Sequence, residues 1–321
     1  MNTAISKKAE ASRLTRGYLI CLVGTIVWST TAIFIRYLTD VYQLPPLVLA
    51  FWRDLILSLA LSAFFLFANP RRLRLERRHV RFIVAYGLVL SLFNSLWTIS
   101  VPLNGAAVST VLAYSSAAFT AILGWRLFRE PLNAVKIVAV VLSLVGCVFV
   151  SGALEPAAWK LNPVGIIAGL LSGLAFAGYS LMGKAASERS INPWTTLLYT
   201  FSIAAVFLFF YNQIAGVLPA GVASRNLFWL DGELAGWGLL FALAIGPTIG
   251  GYGLYTVSLT YLPASVANII ATLEPVMTAV WAYFLLGELF TPPQWVGSLL
   301  IISGVVVLRV NEGRLNGQTV H

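Results

Sequence analysis

Charge is scarce in this chain. Only 10% of its 321 residues are Asp, Glu, Lys or Arg, and acidic residues number 12 against 21 basic ones. A soluble domain of this size carries about a quarter charged residues to cover its core, so an ordinary water-facing fold is excluded. Histidine occurs twice, at His79 and His321, and cysteine twice, at Cys21 and Cys147. Both cysteines lie inside apolar runs, where small packed hydrophobes are expected rather than a disulfide or a metal pair. No metal-ligand spacing, phosphate-binding loop or nucleophile elbow occurs, so no cofactor, metal or catalytic residue is expected.

What is abundant is apolar surface. Hydrophobic residues make up 59% of the chain, and the mean hydropathy is +0.84. A bilayer core about 30 Å thick needs roughly 20 apolar residues per helical crossing. Ten such runs are expected at 17–38, 45–68, 80–100, 106–128, 133–151, 162–186, 193–214, 235–259, 264–286 and 293–309. The first follows Lys7, Lys8, Arg13 and Arg16 but is too long for a signal-peptide core, so it reads as an uncleaved span. Barrel strands would be about half this length with alternating polarity. The expected fold is an all-α, multi-pass protein of the cell inner (plasma) membrane.

Basic residues set its orientation. With the N-terminus inside, seventeen of the 21 fall in cytoplasmic segments, including six from Arg71 to Arg81 and three from Arg126 to Lys136. The outer loops hold only Lys160 and Arg225, and Arg36 and Arg53 lie within spans. Both termini are therefore expected in the cytoplasm. The Arg71–Arg78 cluster suits anionic lipid headgroups, and no nucleic-acid partner is expected.

The sequence also repeats. An offset of 158 aligns Thr98–Val150 with Thr256–Leu308 without a gap, and thirteen of the 53 pairs are identical, among them Thr98/Thr256, Ala106/Ala264, Glu130/Glu288 and Gly146/Gly304. Two five-helix repeats follow, 17–152 and 162–309, with cytoplasmic tails at 1–16 and 310–321. Five is odd, so the second repeat enters from the other side. Inverted repeats place a site near the midplane and allow alternating access, an arrangement of transporters.

In these features the chain resembles the drug/metabolite transporter superfamily, in its ten-helix EamA-type branch. The resemblance rests on Gly24 with Trp28, Pro45-Pro46 with Phe51-Trp52-Arg53, Leu273-Glu274-Pro275, and Leu286-Gly287-Glu288 followed by Gly297 and Gly304; the first half has Arg129-Glu130 and Gly146 but no Glu-Pro. It implies a central cavity with spans 5 and 10 at the periphery, and export of small metabolites, first of all amino acids with aromatic or other apolar side chains. Efflux of drugs, purines or other metabolites, or a non-transporting membrane protein, are the alternatives.

Candidate cavity residues come from helical spacing. Asn94 and Trp97 share a face of span 3, and the same offset carries them to Tyr252 and Tyr255 in span 8. Phe176 and Tyr179 repeat the spacing in span 6, Trp28 lies midway along span 1, and Tyr114 begins a polar patch in span 4. Aromatic residues with one polar atom suit a partly apolar solute. Glu274 beside Pro275 is a mid-membrane charge, a residue type more often functional than structural. Arg53 is a possible charge site, toward a substrate carboxylate or toward Asp54 beside it. Gly246, Pro247 and Gly250, with Pro275, are expected hinges. The expected partners are a small-molecule substrate and the bilayer, with the chain a monomer or weak homodimer; the glycines at 297 and 304 could pack within the chain or against a copy.

Overall fold

The computed structural model describes residues 2–104, 106–155 and 162–318; Lys160 and His321 lie outside them. Within the described residues all regular structure is helical. The first pass is α1 (Asn2–Ser29) and α2 (Thr31–Asp40), the second α3 (Pro46–Ala68) and the third α4 (Val80–Asn104). The fourth is α5 (Ala106–Tyr114) with α6 (Ser116–Phe128), and the fifth α7 (Ala134–Val150). After these come α8 (Pro163–Glu188) and α9 (Pro193–Gln213). The eighth pass is α10 (Leu234–Leu243), a π-helical segment (Ala244–Tyr252) and α11 (Gly253–Ser258). The ninth joins α12 (Ala264–Ala271) to α13 (Glu274–Leu286), and α14 (Pro292–Gln318) is the tenth. Nine of these passes are 20–29 residues long and apolar enough to cross a membrane. The fifth, α7, has 17 residues, roughly 26 Å at helical rise, at the short end of what spans a bilayer.

Spans read as continuous at 17–38, 106–128, 235–259 and 264–286 are broken, and a Ser, Thr or Pro stands at each break. At the first, Ser29 and Thr30 turn their hydroxyls back onto Ile26 O and Val27 O, at 2.7 and 2.8 Å. At the fourth and ninth, Ser115 Oγ donates to Leu112 O and Thr272 Oγ1 to Ile269 O, at 2.5 and 2.6 Å. Such back-bonds compete with the backbone ladder and bend or interrupt helices. In the eighth pass Pro247 has no N–H to give Leu243 O, and Thr248 Oγ1 takes that carbonyl at 2.8 Å, which opens the π-helical turn.

Packing follows the repeat. Each first-half pass has a second-half counterpart five passes later, and contacts exchange under that operation. α4 packs along α8, and the eighth pass packs along α1; α5 and α6 pack on α8, and α12 and α13 on α1. The self-paired contacts include α3 with α9, α7 with α14 and α6 with α12. The repeat even keeps its helix ends: Arg129 closes α6 and Gly287 closes α13, both left-handed, at φ 54° and 71°. This is the inverted-repeat bundle in three dimensions.

Glycines allow the close crossings. A Cβ at Gly297 would stand 2.6 Å from Gly146 O, and one at Gly304 would stand 2.9 Å from Ala139 O, so this stripe is used inside the chain, between α7 and α14. Gly165, Gly169 and Gly173 bring α8 against Asn104, Leu112 and Ser115 in the same way. Cys21 and Cys147 are free and buried. Large side chains such as Phe64, Phe67, Leu127 and Leu299, 60–86% exposed, form the lipid-facing surface.

Replacing Gly297 by Ala drives a methyl into the backbone of α7 and is expected to cost about 1–3 kcal/mol. Gly238→Ala, where an added Cβ meets nothing within 4 Å, serves as the control. Thermal unfolding in detergent should give a lower midpoint for the first and an unchanged or higher one for the second.

Candidate functional site

A cavity of about 490 Å³ lies between the two repeats. It is lined by the distal half of the first pass from Trp28 to Arg36, by Asn94 and Trp97 of α4, by α5 from Ala107 to Tyr114, and by α13 from Glu274 to Ala282. Following the chain from the N-terminus, all these segments lie toward the face opposite the one the chain starts from. The cavity therefore opens on that face, with Arg36, Glu288 and Gln294 at its mouth. Spans 2, 5 and 10 also reach it, through Arg53, through Val150 and Ser151, and through Gln294. Spans 5 and 10 are peripheral along most of their length but not at this end.

The floor is aromatic. Trp28 packs against Tyr252 at 4.5 Å between ring centroids and edge-on against Phe176 at 5.5 Å. Gly251 makes this possible, because a Cβ there would stand 2.6 Å from Trp28 Cβ. Tyr179 and Tyr255, expected to line the cavity, do not. Each lies one turn deeper than Phe176 and Tyr252 and packs beneath them, 0–1% exposed. Tyr179 OH lies 3.4 Å from Thr256 Oγ1, and Tyr255 OH serves a buried polar chain: it is 2.7 Å from Ser180 Oγ, Asn268 Nδ2 donates to Ser180 Oγ at 3.0 Å, and Ser116 Oγ donates to Asn268 Oδ1 at 3.0 Å. That chain ties α8, α11, α12 and α6 together below the floor.

Charged groups face the space above it. Tyr114 OH donates to Glu274, so the carboxylate at the start of α13 is anchored by α5 across the cavity. Glu274 also sits where Pro275 and the break after α12 leave backbone groups without intrahelical partners. Arg53 is buried, with Nε donating to Asp54 Oδ1 at 2.9 Å and Nη2 also 2.9 Å from that oxygen. Nη2 has an ion-pair distance but no directed hydrogen bond. Asp54 is fully enclosed, with Asn94 Nδ2 3.5 Å from its second oxygen. Arg53 thus pairs with Asp54 and still borders the cavity.

The hinge candidates separate on inspection. Pro247 causes the π-helical turn, and Gly250 lies against Val27, whereas a Cβ at Gly246 meets nothing within 4 Å. Pro275 lies at the first turn of α13 and lines the cavity. Two further residues couple α13 to the break in the first pass: Thr278 Oγ1 donates to Ser29 O at 3.1 Å and Trp281 Nε1 to Ser29 Oγ at 3.0 Å. Spacing does not single them out, because their partners lie about 250 residues away. Among the described residues no group of three or more His, Cys, Asp and Glu comes together.

A profile of the EamA-like transporter family matches residues 15–152 and again 163–310. The transporter YwfM of Bacillus subtilis is 28% identical over 68% of this chain and 70% of its own length. The inner membrane transporter YicL of Salmonella typhimurium is 23% identical over 93% of this chain and 97% of its own. An Escherichia coli protein named "probable amino-acid metabolite efflux pump" is 23% identical over 90% and 93%. A solved crystal structure 17% identical in sequence shares the fold, with a TM-score of 0.77 over 94% of this chain and 99% of that one. Matched once by each half, and folded as an inverted pair around a cavity, the chain belongs to the EamA-like transporter family and is a multi-pass transporter of the inner membrane.

Proposed function

We propose that the protein exports small zwitterionic metabolites, first of all amino acids with aromatic or other apolar side chains, by alternating access. One observation carries this reading: a single cavity presents Arg53 and Glu274, of opposite charge, together with the apolar faces of Trp28 and Phe176. A zwitterion places a carboxylate toward the first, an ammonium toward the second and its side chain on the rings. Trp97 and Asn94 border the same space from α4, and Tyr252 closes it from below. A volume of about 490 Å³ falls within the ordinary range for small-molecule sites. A neutral drug would leave Arg53 Nη2, which has no directed hydrogen bond, without an acceptor. The efflux-pump name of the Escherichia coli relative supports the same class.

In this reading both termini, with the tails 1–16 and 310–321, lie in the cytoplasm, as the distribution of basic residues favours. The cavity then opens outward and substrate leaves by it. Return to the inward-facing state bends the chain at its existing breaks, around Pro247 and Gly250 in the eighth pass and at Pro275 in the ninth.

Proteoliposomes loaded with a panel of amino acids test the proposal directly. Glu274→Gln is expected to lower apparent affinity roughly tenfold or more, the usual consequence of removing a charged hydrogen-bond partner. Trp97→Ala should cost roughly threefold to tenfold by loss of ring contact. Transport of no amino acid would sink the substrate class, and unchanged transport in both variants would sink the site.

The carboxylate end has its own test. An amino-acid carboxamide should compete roughly tenfold more weakly than the parent acid. Removing both members of the buried pair, Arg53→Gln with Asp54→Asn, avoids stranding a charge and should abolish the difference. A preference that persists in the double variant places the carboxylate elsewhere.

A further inference from the structure

Glu130 and Glu288 occupy the same position of the two repeats, 158 residues apart, yet they do different things. Glu130, beyond α6, is buried and caps α12: Oε1 accepts from Ala264 N at 2.8 Å, and Oε2 accepts from Ser265 N at 3.3 Å and from the Ser265 hydroxyl. Lys136 completes the cluster, with Nζ 3.8 Å from Glu130 Oε2 and 2.9 Å from Ser265 Oγ. Lys136, one of the basic residues counted as cytoplasmic, is therefore part of a buried cluster. Gly124 leaves the room, since a Cβ there would stand 2.9 Å from the Glu130 carboxylate. Together these contacts clamp α6 to α12 at the face on which the chain begins, beneath the aromatic floor.

Applying the repeat offset to that cluster gives Glu288, Ala107, Gln294 and Ala282. All four line the mouth or wall of the cavity. The Glu288 side chain is 50% exposed and holds Arg36 Nη1 at 2.8 Å. The closed cluster's counterpart positions border the open cavity.

We propose that Glu130 and Glu288 are the two alternating gate residues of the transporter. With the Glu130 clamp made, the end of the bundle nearest the N-terminus is shut and the opposite end is open. In the other state Glu288 leaves Arg36 for the first amides of α5 while Glu130 releases α12. The halves are unequal in a way that sets the resting state. The Glu130 side has a hydroxyl, an ammonium and a glycine, where the Glu288 side has Ala107, Gln294 and Ala282, so the first clamp is the stronger. Glu130 is thus a positioning residue for transport, acting through helix closure without touching the cargo.

The inference rests on alternating access, but its test needs no cargo, so it can fail while the substrate assignment stands. Ala113 and Ala271 are a repeat pair: Ala113 lines the cavity, and Ala271 is fully buried. Single cysteines at these positions report which end is open, read with a membrane-impermeant maleimide applied separately to each side of oriented vesicles. In the parent, Ala113→Cys should label from the cavity side and Ala271→Cys from neither. Glu130→Gln should raise labelling of Ala271→Cys from the other side roughly tenfold and lower that of Ala113→Cys. Copying the strong clamp onto the weak side, Ala107→Ser with Gln294→Lys, should shift labelling the same way while leaving Glu130 and its partners intact. This second variant keeps the test decisive if Glu130→Gln folds poorly. An Ala271→Cys that stays unlabelled in the folded Ala107→Ser/Gln294→Lys protein would overturn the proposal.

Discussion

Inside a bilayer no water is present to satisfy a backbone group that a helix leaves unpaired, and this constraint governs where the chain can bend. Each interruption is paired locally or from a neighbouring helix. Ser29 O receives Thr278, Ile26 O receives Ser29 and Trp281, Leu243 O receives Thr248, and the first amides of α12 donate to Glu130. The broken passes all reach the cavity or its floor, together with parts of the unbroken α3, α4 and α8. Unbroken α14 is among the helices most exposed to lipid, and its crossing with α7 depends on glycine rather than on polar bonds. Flexibility and polarity lie together because both require partners that lipid cannot supply.

The second organising fact is that the repeats agree in backbone and differ in chemistry. Positions 114–116 and 272–274 interrupt both halves, but one carries Tyr114-Ser115-Ser116 and the other Thr272-Leu273-Glu274. The carboxylate of one half then meets the phenol of the other across the cavity. A perfectly symmetric bundle would have no preferred open end. Unequal side chains at equal positions supply that preference as well as a cavity with distinct charged sides.

Much of this was legible in the sequence. Hydropathy locates the passes, and the offset of 158 pairs Asn94 with Tyr252 and Trp97 with Tyr255. Helical spacing gives the face of a residue but not its depth relative to neighbouring helices. Tyr179 shares a face with Phe176, yet lies one turn below the layer that Trp28 and Tyr252 close, and Tyr255 follows Tyr252 in the same way. The helix breaks were hidden because Ser and Thr bond backward in unbroken helices as well, as Ser95, Ser172 and Ser202 do, so the residue type does not mark the break. Glu130 and Glu288 stood out as repeat landmarks, but their different partners depend on tertiary closure that no local pattern encodes.

A structure of the protein with a bound aromatic amino acid addresses the cavity assignment most directly. The ring should lie on Trp28 and Phe176, the carboxylate within hydrogen-bonding reach of Arg53, and the ammonium beside Glu274. Density for the ligand outside this cavity, or with its ammonium remote from Glu274, would contradict it.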